Sequence, residues 1–349
     1  MELFSQERVL YISDDEVLSY KHGHLLYRNR NNVSQYVTIG NMVNKVQFIE
    51  RIMRKEPRCA TKVDKEHFII SFCGLILNYE ITTNTIKIEH KFDKGMNNPL
   101  QFLNYFSKED REQTVYYGEY IWNSNKGPVS IFKRNSGKWA KVYSFPANTI
   151  THIHNIFYDQ YRNSFIILTG DKDFESGIWK ADVDFKNVQP VLVGKQQYRS
   201  CVAFPVKDGI IYATDTPLEK NYIYHVIIDK DFNVKQITRE FDLYGPCIYG
   251  CEYNNSFYFA NSVEPDSSLS KWQYRFTYKL GEGVLDNASH LIKRNEDGEY
   301  EEIASVKKDI LPMWLFQFGN ILFPQNNSSH FYGVLQGCKQ GHGVTVKFE

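Results

Sequence analysis

No apolar run in this chain approaches the roughly 18 residues that span a bilayer. The opening MELFSQERVLYISDDEVL has no basic segment followed by an apolar one. Neither a membrane span nor a secretory leader is therefore expected. Like charges do not cluster either, and 41 Lys and Arg balance 41 Asp and Glu. Without a basic surplus, binding of nucleic acid by phosphate neutralisation is not expected. The cysteines (Cys59, Cys73, Cys201, Cys247, Cys251, Cys338) form no zinc-type CxxC pairs, so buried free thiols in a reducing, cytoplasmic setting are expected. Also missing are a G-x-S-x-G elbow, a P-loop, a dinucleotide fingerprint and an H-E-x-x-H helix. The Gly-rich QGCKQGHGV leads into no helix and reads as a hairpin turn. No Gly-, Pro- or Ser-rich linker breaks the chain, so residues 1–349 are expected to form one domain.

Aromatic residues make up 15% of the chain, with 24 Tyr and 24 Phe, a bias toward strands. Short aromatic or β-branched runs follow one another from end to end, broken by Asp, Gly or Asn. One helix interrupts them near residues 45–54. There Val46, Ile49, Ile52 and Met53 share a face of NKVQFIERIMRK, and Pro57 ends it. The basic face (Lys45, Arg51, Arg54, Lys55) is expected to be solvated. The strands group in fours at a spacing typical of propeller blades, over residues 9–40, 57–92, 100–145, 151–193, 199–240, 246–304 and 312–348. The fold class is therefore all-β, a β-propeller of seven blades, with six or eight as the alternatives. The strand around Val9–Ser13 is expected to pair with the last blade and lock the ring.

The hairpin Asn135-Ser136-Gly137-Lys138-Trp139 is similar to the Asp-box, S-x-D-x-G-x-T-W, of sialidase repeats, with the acidic position absent. NEDGEYEEI and IDKDFNVKQI show a related turn. Through these hairpins the chain resembles sialidase-like propellers. The resemblance implies a propeller fold and an acidic sugar as ligand, its carboxylate held by arginines from separate blades. Arg28, Arg58 and Arg199, near strand starts, stand in positions for that role. The His152-Ile153-His154 pair is also similar to one that oligouronide lyases of propeller fold place on a metal; Thr149 stands where that family has a glutamine.

Five segments put polar groups where apolar strand residues belong: GEYIWN, THIHNIFYD, LTGDKDFE, ATDTPLEKNYI and FANSVEP. Such breaks concentrate at functional sites. His152 and His154 lie two apart on a strand and so face one side, which suits a metal or an acid/base couple. Asp171 and Asp215 each end an apolar strand in adjacent blades, where a carboxylate can move protons or ligate a cation. Asp173 and Glu175 follow Asp171 as turn residues. His152, His154, Asp171 and Asp215 are the catalytic candidates. Glu119, Arg199, Asn221 and Glu264 are the substrate-binding candidates. A divalent metal is possible, with its ligands unassigned.

The expected function is that of a carbohydrate-active enzyme on an acidic glycan or oligosaccharide, hydrolysing it between two carboxylates or eliminating beside a uronate carboxylate. The alternatives are a propeller that binds a glycan or protein without turnover, and a plain scaffold.

Overall fold

The computed structural model describes residues 1–31, 33–93, 95–106 and 113–348. Among the described residues the strands form seven propeller blades, antiparallel within each, and one small two-stranded pair of Met96–Asn97 with Tyr120–Ile121. Blade 1 spans Arg8–Thr38, blade 2 Ala60–Lys91, blade 3 Leu103–Phe145 and blade 4 His152–Val193. Blade 5 spans Ser200–Leu243, blade 6 Cys247–Lys307 and blade 7 Asn320–Phe348. These limits match the sequence grouping, because the short turns that end each strand are themselves written in Gly, Asn and Asp.

Burial falls from the axis to the rim, and composition follows it. The second strands, such as Ser164–Gly170 and Gly209–Thr214, are packed on both faces and are almost wholly apolar. The fourth strands, such as Thr85–Lys91 and Val234–Leu243, alternate and are largely solvated. The hairpin at Ser136–Gly137 joins the two outer strands of blade 3, with both turn residues left-handed (φ 47° and 77°) as a two-residue hairpin turn requires. Trp139 turns inward from it, close to Tyr117 (ring centroids 5.1 Å) and donating to Glu89 (2.8 Å).

Ring closure uses the expected strand and a second one besides. Glu2–Ser5, not Val9–Ser13, is the outer strand of blade 7, paired antiparallel with Val344–Phe348 (Glu2↔Lys347, Leu3↔Val346). Val9–Ser13 lies in the inner strand of blade 1 and reaches blade 7 in another way. Tyr11, Ile12 and Ser13 pair parallel with Gln325, Asn326 and Asn327. The Val9 amide also donates to Thr345 Oγ1 at 3.0 Å.

The helix is where it was expected, at Gln47–Met53 after a short 3-10 turn at Met42–Lys45, but it is rotated about its axis. Val46, Ile49 and Met53 are exposed, whereas Glu50 and Arg51 are buried. Arg51 pairs with Asp309 (2.6 Å) and donates to the Phe316 carbonyl; Glu50 accepts from Tyr20 and from Asn44 Nδ2 (2.8 Å). Buried ionic partners thus outrank apolar periodicity in orienting two turns of helix. A second helix, Lys271–Phe276, was not expected; it sits in the long excursion between the second and third strands of blade 6. No helix among the described residues is long and apolar enough to cross a membrane.

A cavity of about 500 Å³ runs between the inner strands, lined by Phe102, Phe157, Phe204, Phe323 and Tyr249, with Arg58 at one end. The inner strands begin, and the second strands end, on that same face of the ring. Loops from every blade converge there.

Candidate functional site

Six of the eight predicted site residues meet at this face. His152 and His154 open the inner strand of blade 4, Asp171 follows its second strand, and Arg199 and Asp215 hold the equivalent places in blade 5. A β-bulge at His154 makes the convergence possible. Ile153 pairs with Thr169 and Asn155 with Leu168, so His154 is the extra residue, unopposed in the ladder. The bulge keeps both imidazoles aimed at one carboxylate. His152 Nε2 lies 3.6 Å and His154 Nε2 3.5 Å from Asp171 Oδ1, and the two rings are 4.9 Å apart.

The other ring nitrogens set the tautomers. His154 Nδ1 lies 2.8 Å from the Ser200 carbonyl, and His152 Nδ1 3.3 Å from the Ile121 carbonyl. A carbonyl only accepts, so each Nδ1 carries a proton, and in the neutral ring each Nε2 is left with a lone pair. Burial lowers the His154 pKa further and favours the neutral ring. Two imidazole lone pairs and a carboxylate oxygen therefore face one another, with no proton between them. His152 Nε2 is buried without a hydrogen-bond partner. The space also matches the imidazole closely, since a Cβ placed on Gly170 would lie 2.6 Å from His154 Cε1.

Arg199 organises the carboxylates. Its Nη2 is 3.0 Å from Asp171 Oδ1, its Nη1 donates to the Asp171 carbonyl (3.1 Å), and its Nε is 3.7 Å from Asp215 Oδ2. Burial pushes Asp171 up, but the Arg199 guanidinium beside it holds the carboxyl well below the usual carboxylate range. Asp215 moves the other way. Burial, which the Arg199 charge only partly offsets, and the neighbouring Glu264 push it up to about 7. Burial also raises Glu264, whose carboxylate accepts from Ser262 Oγ at 2.6 Å. One guanidinium thus serves three carboxylates, and with all three ionised the cluster holds two uncompensated negative charges.

Two of the eight candidates stand elsewhere. Glu119 is buried and accepts from the Ser130 amide at 2.6 Å, a strand-end clasp within blade 3. Asn221 bonds Thr214, Thr216 and the Gly283 carbonyl, tying the blade 5 turn to the blade 6 excursion. Of the turn acids, Glu175 is taken by Lys126 and Thr151, and Asp173 accepts from Gln196 (3.0 Å). Arg28 pairs with Glu7 inside blade 1, away from the mouth.

Residues not singled out complete the site. Cys201 is also a bulged residue, and its thiol donates to Asp215 Oδ2 at 3.2 Å. Tyr120 packs on His152 (centroids 4.6 Å) and carries Arg58 on its ring (5.3 Å). A bulge recurs at the start of the inner strands of blades 1, 4, 5 and 6. An ion would find two sets of ligand atoms here, each within 4.8 Å: His152, His154 and Asp171, and His154, Cys201 and Asp215. Two imidazoles and carboxylates suit a first-row divalent ion such as Mn²⁺, Fe²⁺ or Zn²⁺. The unpartnered His152 Nε2 fits one.

No protein-family model and no curated protein sequence matches the chain. Solved structures do match in shape. Virginiamycin B lyase from Staphylococcus aureus gives a TM-score of 0.58 at 8% identity, covering 100% of this chain and 97% of that one. The AfRom2 CNH domain gives 0.55 at 7% identity over 99% and 96%. A chain of the mitotic checkpoint complex gives 0.54 at 6% identity over 100% and 93%. The likeness is one of fold. At such identities it carries no chemistry across, and the narrower sialidase-like likeness of the hairpins is not what these neighbours support: they are propellers of diverse kinds.

Proposed function

We propose that this propeller is an enzyme of the lyase type that cleaves an acidic glycan at the mouth of its central channel. The supporting observation is the convergence of His152 Nε2, His154 Nε2 and Asp171 Oδ1, three electron-pair donors with no proton to share. A divalent cation held by them would supply Lewis acidity, offsetting the charge that builds on a uronate carboxylate when its neighbouring carbon loses a proton. Arg199 Nε, buried without a hydrogen-bond partner, offers an N–H to the same carboxylate. Asp215, poised near neutrality, takes the proton from the carbon beside the carboxylate. The released electron pair forms a carbon–carbon double bond, the glycosidic carbon–oxygen bond breaks, and the departing oxygen receives a proton from Glu264, whose carboxyl burial shifts toward the protonated form. Free thiols at all six cysteines suit a reducing, cytoplasmic setting for this work.

Incubation of the protein with a panel of uronic-acid oligosaccharides and Mn²⁺ should produce an unsaturated sugar, seen as a rise in ultraviolet absorbance. Chelation should abolish the rise, and His154→Ala and Asp171→Asn should each lower the rate by a factor of about 10² or more. New reducing ends without the absorbance change would mean hydrolysis instead. Absence of any turnover and of bound divalent ion would sink the reading.

A further inference from the structure

Among the described residues, three arginines have no carboxylate partner, Arg54, Arg58 and Arg275, while every other arginine forms an ion pair. All three belong to segments that roof the channel mouth. Arg54 caps the helix Gln47–Met53, Arg58 precedes the inner strand of blade 2, and Arg275 lies in the helix Lys271–Phe276.

Their contacts bring them together. Arg54 donates to the Trp314 carbonyl (2.7 Å) and stands over the Trp314 ring at 5.6 Å; Arg275 stands over the same ring at 5.0 Å. Two guanidiniums on one indole repel each other, and nothing negative lies between them. Arg58 donates to Tyr249 Oη (3.3 and 3.2 Å) and to the Asn98 carbonyl (3.0 Å), all uncharged groups. It lies across the Tyr120 ring from His152. Arg275 Nε is buried without a hydrogen-bond partner. Arg54 also takes a left-handed backbone (φ 53°) at a cap where glycine is the ordinary residue, so a long cation is kept there at a conformational cost. Arg58 and Arg275 are half-buried and Arg54 is exposed above them; half-buried charge without a counter-charge is a vacancy for an anion. Bidentate guanidiniums suit carboxylate or sulfate oxygens.

We infer that Arg54, Arg58 and Arg275 form an anion-recognising subsite one tyrosine ring away from the His152/His154/Asp171 cluster, and that the substrate is a polyanion. One acidic group would face the cluster, and a second, on the next sugar, would meet the arginines. This inference rests on the glycan reading for the identity of the polyanion, though not for the existence of the subsite. Tyr274, in the same helix as Arg275, feels Glu264, Arg54, Arg199 and Asp171 together, which links the roof to the cluster.

The test is calorimetric titration with trigalacturonate, with its methyl ester and with inorganic sulfate, using the full chain and two double variants. Arg54→Gln with Arg275→Gln removes the charge; Arg54→Lys with Arg275→Lys keeps it. Wild type should bind the acidic trimer at least tenfold more tightly than the ester. The Gln variant should lose about tenfold per arginine (about 1.4 kcal/mol each) and most of its salt dependence. The Lys variant should fall between, and sulfate should compete with the trimer. Equal binding by wild type and the Gln variant, a preference for the ester, or no binding of the trimer would overturn the inference. Turnover that survives in the Gln variant with unchanged KM would remove the subsite and leave the lyase reading standing. Anion binding without turnover would do the reverse.

Discussion

Gly170 shows how little room the site leaves. A Cβ there would press on His154 Cε1 at 2.6 Å and on Arg199 Cγ at 3.1 Å. Gly170→Ala should therefore displace the imidazole and weaken divalent-ion binding at least tenfold while the ring stays folded; an unchanged affinity in a Mn²⁺ titration would count against the site. Asp215 gives a second expectation. Its folded pKa of about 7 lies above the ordinary 3.8, so between those values the folded protein holds a proton that the unfolded chain has released. The group's contribution to stability is complete below about 3.8 and is lost as pH rises toward 7. Denaturant titrations with chelator present should show that Asp215→Asn gains on wild type across this window, and bound divalent ion should shrink the difference. His152, His154, Asp171 and Asp215 were legible because each breaks an apolar strand at a matching offset. Cys201 and Tyr120 were not, since a buried thiol and a strand aromatic look like core until a neighbouring blade is placed beside them.

At the scale of the element, the helix Gln47–Met53 separates periodicity from packing. Its position was legible from spacing and Pro57. Its orientation was not, because Asp309, Phe316 and Tyr20, which receive Arg51 and Glu50, lie in distant sequence. Arg51→Ala should cost about 1–3 kcal/mol by removing the bonds to Asp309, which keeps Lys308 as a partner, and to the Phe316 carbonyl. Ile49→Lys and Met53→Lys should change stability by no more than about 0.5 kcal/mol, being exposed. A helix seated on its apolar face would reverse that order in denaturant melts. The inner-strand bulges are likewise invisible in one blade's sequence, yet they bring His154 and Cys201 to adjoining walls of one site.

For the whole molecule, the blade count and limits followed from turn chemistry, while the closing strand did not. Glu2–Ser5 has no distinctive pattern, and its exposed Leu3 and Phe4 gain meaning only from their partner strand and from Tyr332, whose ring lies 4.6 Å from that of Phe4. Deleting residues 1–6 should remove about 2–4 kcal/mol, a few backbone hydrogen bonds' worth. It should also leave Val344–Phe348 as an open edge prone to association, a change that sedimentation would reveal. Retained stability and a monomeric profile would contradict that view of closure.

That same pairing has a consequence for how the chain is made. Glu2 and Lys347 are register partners, so the first strand of the propeller waits for its last. Each blade can form in turn as its hairpins emerge. The ring cannot shut until Val344–Phe348 has been made, and the parallel contact of Tyr11–Ser13 with Gln325–Asn327 is nearly as late. Arg54 and Arg275, on loops from blades far apart along the chain, meet over Trp314 only after that moment. Nascent blades can carry the histidine cluster early, but the roof above it belongs to the closed ring.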